Sequence, residues 1–130
     1  MLQFDVEPRA GYLYYRVSGT IDTPHAQNAY SEALRQAVRY GQARLLIDLT
    51  GVTGTWPAEN RLLFGIFMAD EHQRMQAQFA EPLRVAMLAV PPIMDPGRYT
   101  QAVANNRGVQ MKTSESLAEL LGWLLITPAQ

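Results

Sequence analysis

Residues 43–49, ARLLIDL, constrain the fold more than any other stretch. They read as a central strand that is apolar on both faces, which requires cover on both sides. Helical patterns on either side of it supply that cover. Upstream, DTPHAQNAYSEALRQAVRYG (22–41) sets Ala26, Ala29, Tyr30, Ala33, Leu34, Ala37 and Val38 in one stripe at helical spacing. Asp22 or Thr23 can cap that helix, Pro24 suits its first position, and Gly41 ends it. Downstream, a second helix is expected from near Pro57 toward Ala80, roughly 36 Å long at about 1.5 Å per residue.

The rest of the chain repeats this alternation. LQFDVE (2–7) and YLYYRVSG (12–19) alternate with period two around a turn at 9–11, so they predict an antiparallel hairpin. Leu13, Tyr15 and Val17 take one face of the second strand, and Tyr14, Arg16 and Ser18 the other. LRVAMLAV (83–90) is another buried strand. Asp95 and Pro96 open a third helix that Gly108 closes, and VQMKT (109–113) is a short strand with Val109 and Met111 inward. Ser114 can cap a last helix whose stripe is Leu117, Leu120, Leu121 and Leu124. The order β-β-α-β-α-β-α-β-α predicts one α/β domain over residues 1–130, with a mixed, mostly parallel sheet of about five strands and four helices.

The chain has 130 residues, enough for one domain to bury a core unaided. Its net charge of -1 and lack of a basic run argue against nucleic-acid binding by phosphate neutralisation. The absence of cysteine removes disulfides, thiolate metal sites and cysteine nucleophiles. The opening MLQFDVEPRAG has neither the basic nor the apolar region of a signal peptide. The apolar run LLFGIFMA (62–69) is far short of the roughly 20 residues that cross a bilayer. The expectation is a soluble, cytoplasmic protein without a transmembrane segment.

Few residues point to chemistry. GVTGT (51–55) lies between a predicted strand and a predicted helix, where open α/β sheets bind ligands. It matches neither the P-loop nor the dinucleotide motif, and the only lysine is Lys112. Asp48 ends the strand, and its expected role is to hydrogen-bond the loop and fix the turn. His25 falls in the first turn of the first helix. His72, in ADEHQR, has Gln76 four residues on and so lacks the spacing of a helical metal pair; a solvated helix face is expected. No catalytic residues, metal or cofactor are expected. Were the chain an enzyme, Asp48, Thr53 and His25 would be the first to test.

The second helix carries an apolar surplus. Leu62, Leu63, Phe64, Ile66, Phe67 and Met68 surround most of it, and Met75 and Phe79 extend the line. A helix on a sheet needs one stripe. Three readings stand for the remainder: extra core, a self-association surface, or contact with a lipid-like ligand.

YYRVSGTIDTPHAQNAYSEALRQAVRYGQARLLIDLTGVTG resembles the first half of a STAS domain of the anti-sigma factor antagonist type. The shared features are Val17, Gly19, Asp22 and DLTGVT (48–53). The second half is similar to a divergent branch grouped with lipid-transfer (CRAL-TRIO) domains, with a long second helix, a strand like RVAMLAV, and a last helix ending in Trp123 and Leu124. The resemblance implies a regulatory surface at Asp48, Thr50, Gly51, Thr53, Gly54 and Thr55, and a regulatory protein partner. Antagonists of that type carry Asp-Ser-Ser-Gly just after this segment, where a partner kinase phosphorylates a serine. Here the window 53–60 reads TGTWPAEN and has no serine, leaving Thr53 or Thr55 as hydroxyls. The function expected is a non-enzymatic STAS-like regulatory or interaction domain, homodimeric through the second helix. The alternative is a carrier of a small apolar molecule between that helix and the sheet, lined by Phe64, Phe67, Met68 and the tyrosines of the second strand.

Overall fold

A computed structural model of the chain describes residues 2–55, 57–93 and 99–125. Strands β1 (Leu2–Arg9) and β2 (Tyr12–Thr20) form the expected antiparallel hairpin, with Leu2 opposite Gly19 and Arg9 opposite Tyr12. Helix α1 (Thr23–Arg39) follows, and Asp22 is its N-cap: one carboxylate oxygen accepts the His25 N–H at 2.9 Å. Its alanines, Tyr30 and Leu34 turn inward as the stripe requires, and Gly41 lies just past its end with φ +62.

Strand β3 (Arg44–Thr53) is longer than expected. Asp48 does not end it. Thr50, Gly51, Val52 and Thr53 belong to the strand, because Ser18, Gly19 and Thr20 of β2 pair with Gly51, Val52 and Thr53. Between Arg16↔Asp48 and Ser18↔Gly51 the register shifts by one residue, a β-bulge on β3. Gly51 is required there, since a Cβ would stand 3.0 Å from the Ser18 Cβ and 3.3 Å from the Val17 carbonyl oxygen.

Helix α2 (Ala58–Met75) is unbroken through Gly65 and gives way to a 3-10 turn at Gln76–Gln78. Its 18 residues span about 27 Å, shorter than expected. Strand β4 (Arg84–Leu88), helix α3 (Tyr99–Asn106), strand β5 (Gln110–Ser114) and helix α4 (Leu117–Leu124) complete the order. The expected helix start at Asp95 and Pro96 lies outside the described residues. The cap of α4 is Ser116, whose hydroxyl accepts the Glu119 N–H at 3.2 Å. Ser114 instead closes β5 and donates its hydroxyl to the Glu119 carboxylate at 2.7 Å.

The sheet order is β1-β2-β3-β4-β5, antiparallel at the first pair and parallel elsewhere. Each parallel strand is added on the same side of the last. Right-handed crossovers therefore bring α1, α2 and α3 to one face, where Leu13, Tyr15, Val17, Leu45, Ile47, Val85 and Met87 form the main core. Among the described residues, α4 alone is left for the other face. It covers Tyr12, Leu46 and Ala86 with Leu120 and Leu124. One pleat further along that face are Tyr14 and Asp48, a polar pair beside the short helix.

Candidate functional site

The bulge in β3 is organised by Asp48, which is 7% exposed. One of its oxygens accepts the Thr50 N–H at 2.9 Å and the Thr50 hydroxyl at 2.7 Å. The other accepts the Tyr14 hydroxyl from β2. Burial acts to raise the Asp48 pKa, but the bonds from Tyr14 and Thr50 outweigh it and hold the carboxyl below its ordinary value. Burial, and then the bond to that carboxylate, push Tyr14 up to about 12. The Arg9 guanidinium lies over the Tyr14 ring, 3.9 Å from its centroid. At neutral pH Asp48 is thus an anion and Tyr14 a neutral phenol. Neither is poised for general acid–base work there. The cluster latches the bulge.

The threonines differ in what they offer. Thr50 is exposed but its hydroxyl is committed to Asp48. The Thr53 hydroxyl donates to the Gly19 carbonyl at 3.3 Å. Gly54, at φ +110, turns the chain away from β3, and Thr55 is exposed beyond it. None of them caps α2, whose N-cap is Pro57 with no side-chain cap hydrogen bond. A strand-to-helix loop rich in Gly and Thr would ordinarily supply that cap. Two observations replace it: the Asp48 latch, and the Ile21 N–H donated to the Thr53 carbonyl at 2.9 Å.

The α2 residues separate into two groups. Phe64 and Met68 are in the main core, and Phe67 is partly buried against it. Ile66 is half-buried. Leu62 and Leu63 face outward, 38% and 57% exposed. His72, expected on a solvated face, is buried at 4%. It lies four residues after Met68 and eight after Phe64, on the same stripe. Desolvation lowers its pKa to about 4, against a backbone hydrogen bond with Leu83 that acts to raise it. Its Nδ1 has no hydrogen-bond partner among the described residues, and the same holds for the hydroxyls of Tyr15 and Tyr30. His25 is exposed as expected, with Nδ1 at 2.6 Å from Asp22.

An apolar cavity of about 60 Å³ lies between α1, α2 and the carboxyl half of β2–β4. Val17, Ile21, Tyr30, Val52, Phe64 and Ile93 are among its walls. Of the lining expected for a ligand pocket, only Phe64 takes part. Phe67, Met68 and the tyrosines of β2 do not, because the space opens beyond Tyr15 toward Val17 rather than beneath Met68. Among the described residues, Tyr30 and Thr113 bring the only hydroxyls to the wall. Drug-sized ligands occupy roughly 300–1,000 Å³, so the cavity as it stands holds a far smaller group. Among the described residues no three His, Asp or Glu side chains converge as a metal site, and no helix is long and apolar enough to cross a membrane.

No protein-family model matches the chain, and no curated protein matches it in sequence. Solved structures do match in fold. An anti-sigma factor antagonist from Mycobacterium paratuberculosis superposes with TM-score 0.59 at 18% identity, over 95% of this chain and 94% of that one. An uncharacterized protein of the DUF3478 family with a SpoIIAA-like fold, from Shewanella loihica, superposes with TM-score 0.50 at 21% identity, over 95% and 93%. The chain therefore has a STAS-like fold of the SpoIIAA type.

Proposed function

We propose that this STAS-like domain is a non-enzymatic regulatory module that acts in the cytoplasm by binding protein, including a second copy of itself through α2. The observation that carries the reading is the exposure of Leu62 and Leu63 on a helix whose core stripe is already complete without them. Large apolar side chains side by side on a surface favour association. The carboxyl-end threonines, all exposed, offer the same module a regulatory surface. The similarity in fold to an anti-sigma factor antagonist supports a protein partner. The test is native mass spectrometry of the wild type beside Leu62→Ser/Leu63→Ser. A dimer that becomes a folded monomer supports the reading. A wild-type monomer at tens of micromolar, or a variant dimer of unchanged affinity, refutes self-association through α2.

The cavity favours a second reading, a carrier or sensor of a small apolar group that enters between α1 and α2. Its almost wholly apolar wall, and the Tyr30 hydroxyl that has no partner among the described residues, support it. A denaturation-labile added mass in the native spectrum that disappears in Ala29→Leu would bear it out. Repeated preparations without added mass would refute it.

A further inference from the structure

Leu2 and Ala29 each line two spaces. One is the apolar cavity under α1, and the other is an open groove of about 370 Å³ on the β1 side of that helix. The spaces are therefore neighbours, parted by one leucine and one alanine. Leu2 is a weak partition. Its partner across the hairpin is Gly19, which has no side chain to hold it in place. It also stands at the end of an edge strand and is only half-buried.

Size and wall chemistry say what the cavity takes. One water-sized atom needs roughly 10–15 Å³ of such space. The cavity's 60 Å³ thus holds about four or five heavy atoms, the end of an aliphatic chain. A benzene ring fills a cavity of roughly 150 Å³, so a ring does not fit. The groove has the complementary chemistry. Leu2 and Phe4 form an apolar floor, with Phe4 46% exposed and stacked on Tyr15 at a centroid distance of 5.1 Å. His25, Asn28, Glu32 and Arg35 stand along its α1 side, on one stripe of the helix.

The charges of that stripe are compensated. Arg35 places Nε and Nη2 on one Glu32 oxygen at 3.0 and 2.8 Å, and the Gln36 amide donates to the other at 2.9 Å. The His25 ring holds Nδ1 at 2.6 Å from Asp22, which also accepts the His25 backbone N–H at the positive start of α1. What remains is uncharged hydrogen-bonding capacity: the Asn28 amide, with no side-chain partner among the described residues, and the second nitrogen of the His25 ring. We infer that cavity and groove are one site for an uncharged aliphatic amphiphile, whose chain end fills the cavity and whose hydroxyl or amide head meets Asn28 and His25 in the groove. The middle of the chain crosses between Leu2 and Ala29 and lies against Phe4. The inference rests on the carrier reading of the cavity. To that reading it adds the head group and a second way in, on the β1 side of α1.

The probes are xenon, which needs the cavity alone, and n-hexanol, which needs both spaces. Hexanoate and hexylammonium carry the same chain on charged heads. Methyl signals of Leu2, Val17, Ala29 and Val52 in carbon–proton NMR spectra report on each titration. Hexanol should move all four and saturate with a dissociation constant near ~1 mM, at least about fivefold tighter than either charged probe. Asn28→Ala, at an exposed position, should weaken hexanol about threefold or more and leave xenon binding unchanged. No hexanol binding by about 10 mM would overturn the inference. So would hexanol shifts that spare Val17 and Val52, charged probes that bind as tightly, or an unchanged affinity in Asn28→Ala. Xenon shifts without hexanol shifts would refute this site and leave the carrier reading standing, whereas shifts from neither probe would refute both.

Discussion

Helices α1 and α2 lie side by side on the same face of the same sheet, and they treat polarity in opposite ways. α1 has a side-chain N-cap in Asp22 and buries Ala33, Leu34 and Ala37 completely. α2 has no side-chain cap, places Leu62 and Leu63 outside, and sets His72 inside. α1 is held by local signals that agree with its packing. α2 keeps a polar residue where the fold wants an apolar one, and apolar residues where water would suit polar ones. Such departures from the folding optimum concentrate where a protein does something besides fold.

The largest expected effect sits in α1. Leu34→Ala removes a fully buried side chain and leaves a void, at a cost of about 3 kcal/mol in unfolding free energy. Urea titration should show the lower midpoint. A loss below about 1 kcal/mol would mean that α1 is packed no better than α2, and the contrast would fail.

His72 comes next. Its folded pKa is about 4 and its ordinary value 6.5. Above 6.5 both states are neutral and the residue adds no pH dependence. Below 6.5 the unfolded chain takes up the proton first, so stability falls as the pH drops from 6.5 toward 4. The loss amounts to roughly 2–3 kcal/mol. His72→Leu should flatten the stability profile across that window. Below it, Asp48 adds a further loss as the pH passes down through its lowered pKa. A wild-type profile flat from 7 to 4.5 would mean that the imidazole is solvated.

Tyr30→Phe tests the seam between the helices. The Tyr30 ring packs edge-on against Phe64 with centroids 6.1 Å apart, while its buried hydroxyl has no partner among the described residues. Removing the oxygen keeps the ring contact and relieves an unpaired polar group, so stability should hold or rise by about 1 kcal/mol. A fall of that size would show that the hydroxyl is bonded, for instance to something held in the cavity.

The same contrast explains what could be read from the sequence. α1 was legible because its cap, stripe and terminating glycine are local signals on successive turns. The faces of β2 were legible because Leu13, Tyr15 and Val17 alternate. The fate of TGVT was not: Gly and Thr suggest a loop until Ser18, Gly19 and Thr20 are known to pair with them, and that pairing lies more than thirty residues away. Tyr14 as the partner of Asp48 was hidden for the same reason. His72 was misjudged because its flanking charges, Asp70 and Glu71, suggested solvent, whereas its spacing from Phe64 and Met68 was the better guide. Ser114 and Ser116 are both plausible caps two residues apart, and only the end of β5 decides between them. The cavity walls were mostly missed because Val17, Ile21, Tyr30 and Ile93 meet only in three dimensions.

The smallest expected effect on stability completes the contrast. Leu63, more than half exposed, has little burial to lose in the isolated chain, so Leu63→Ala should change the unfolding free energy of a monomer by no more than about 0.5 kcal/mol. If the residue seats in a partner, the same change should weaken dimerisation by about 1–3 kcal/mol, roughly 5- to 150-fold in dissociation constant. Sedimentation at several concentrations separates the two quantities in one sample series. A variant that dissociates readily yet melts like the wild-type monomer would place the purpose of Leu63 outside its own fold. A variant that melts several degrees lower as a monomer would return the residue to the core and leave Leu62, the missing side-chain cap and His72 as the differences between α2 and α1.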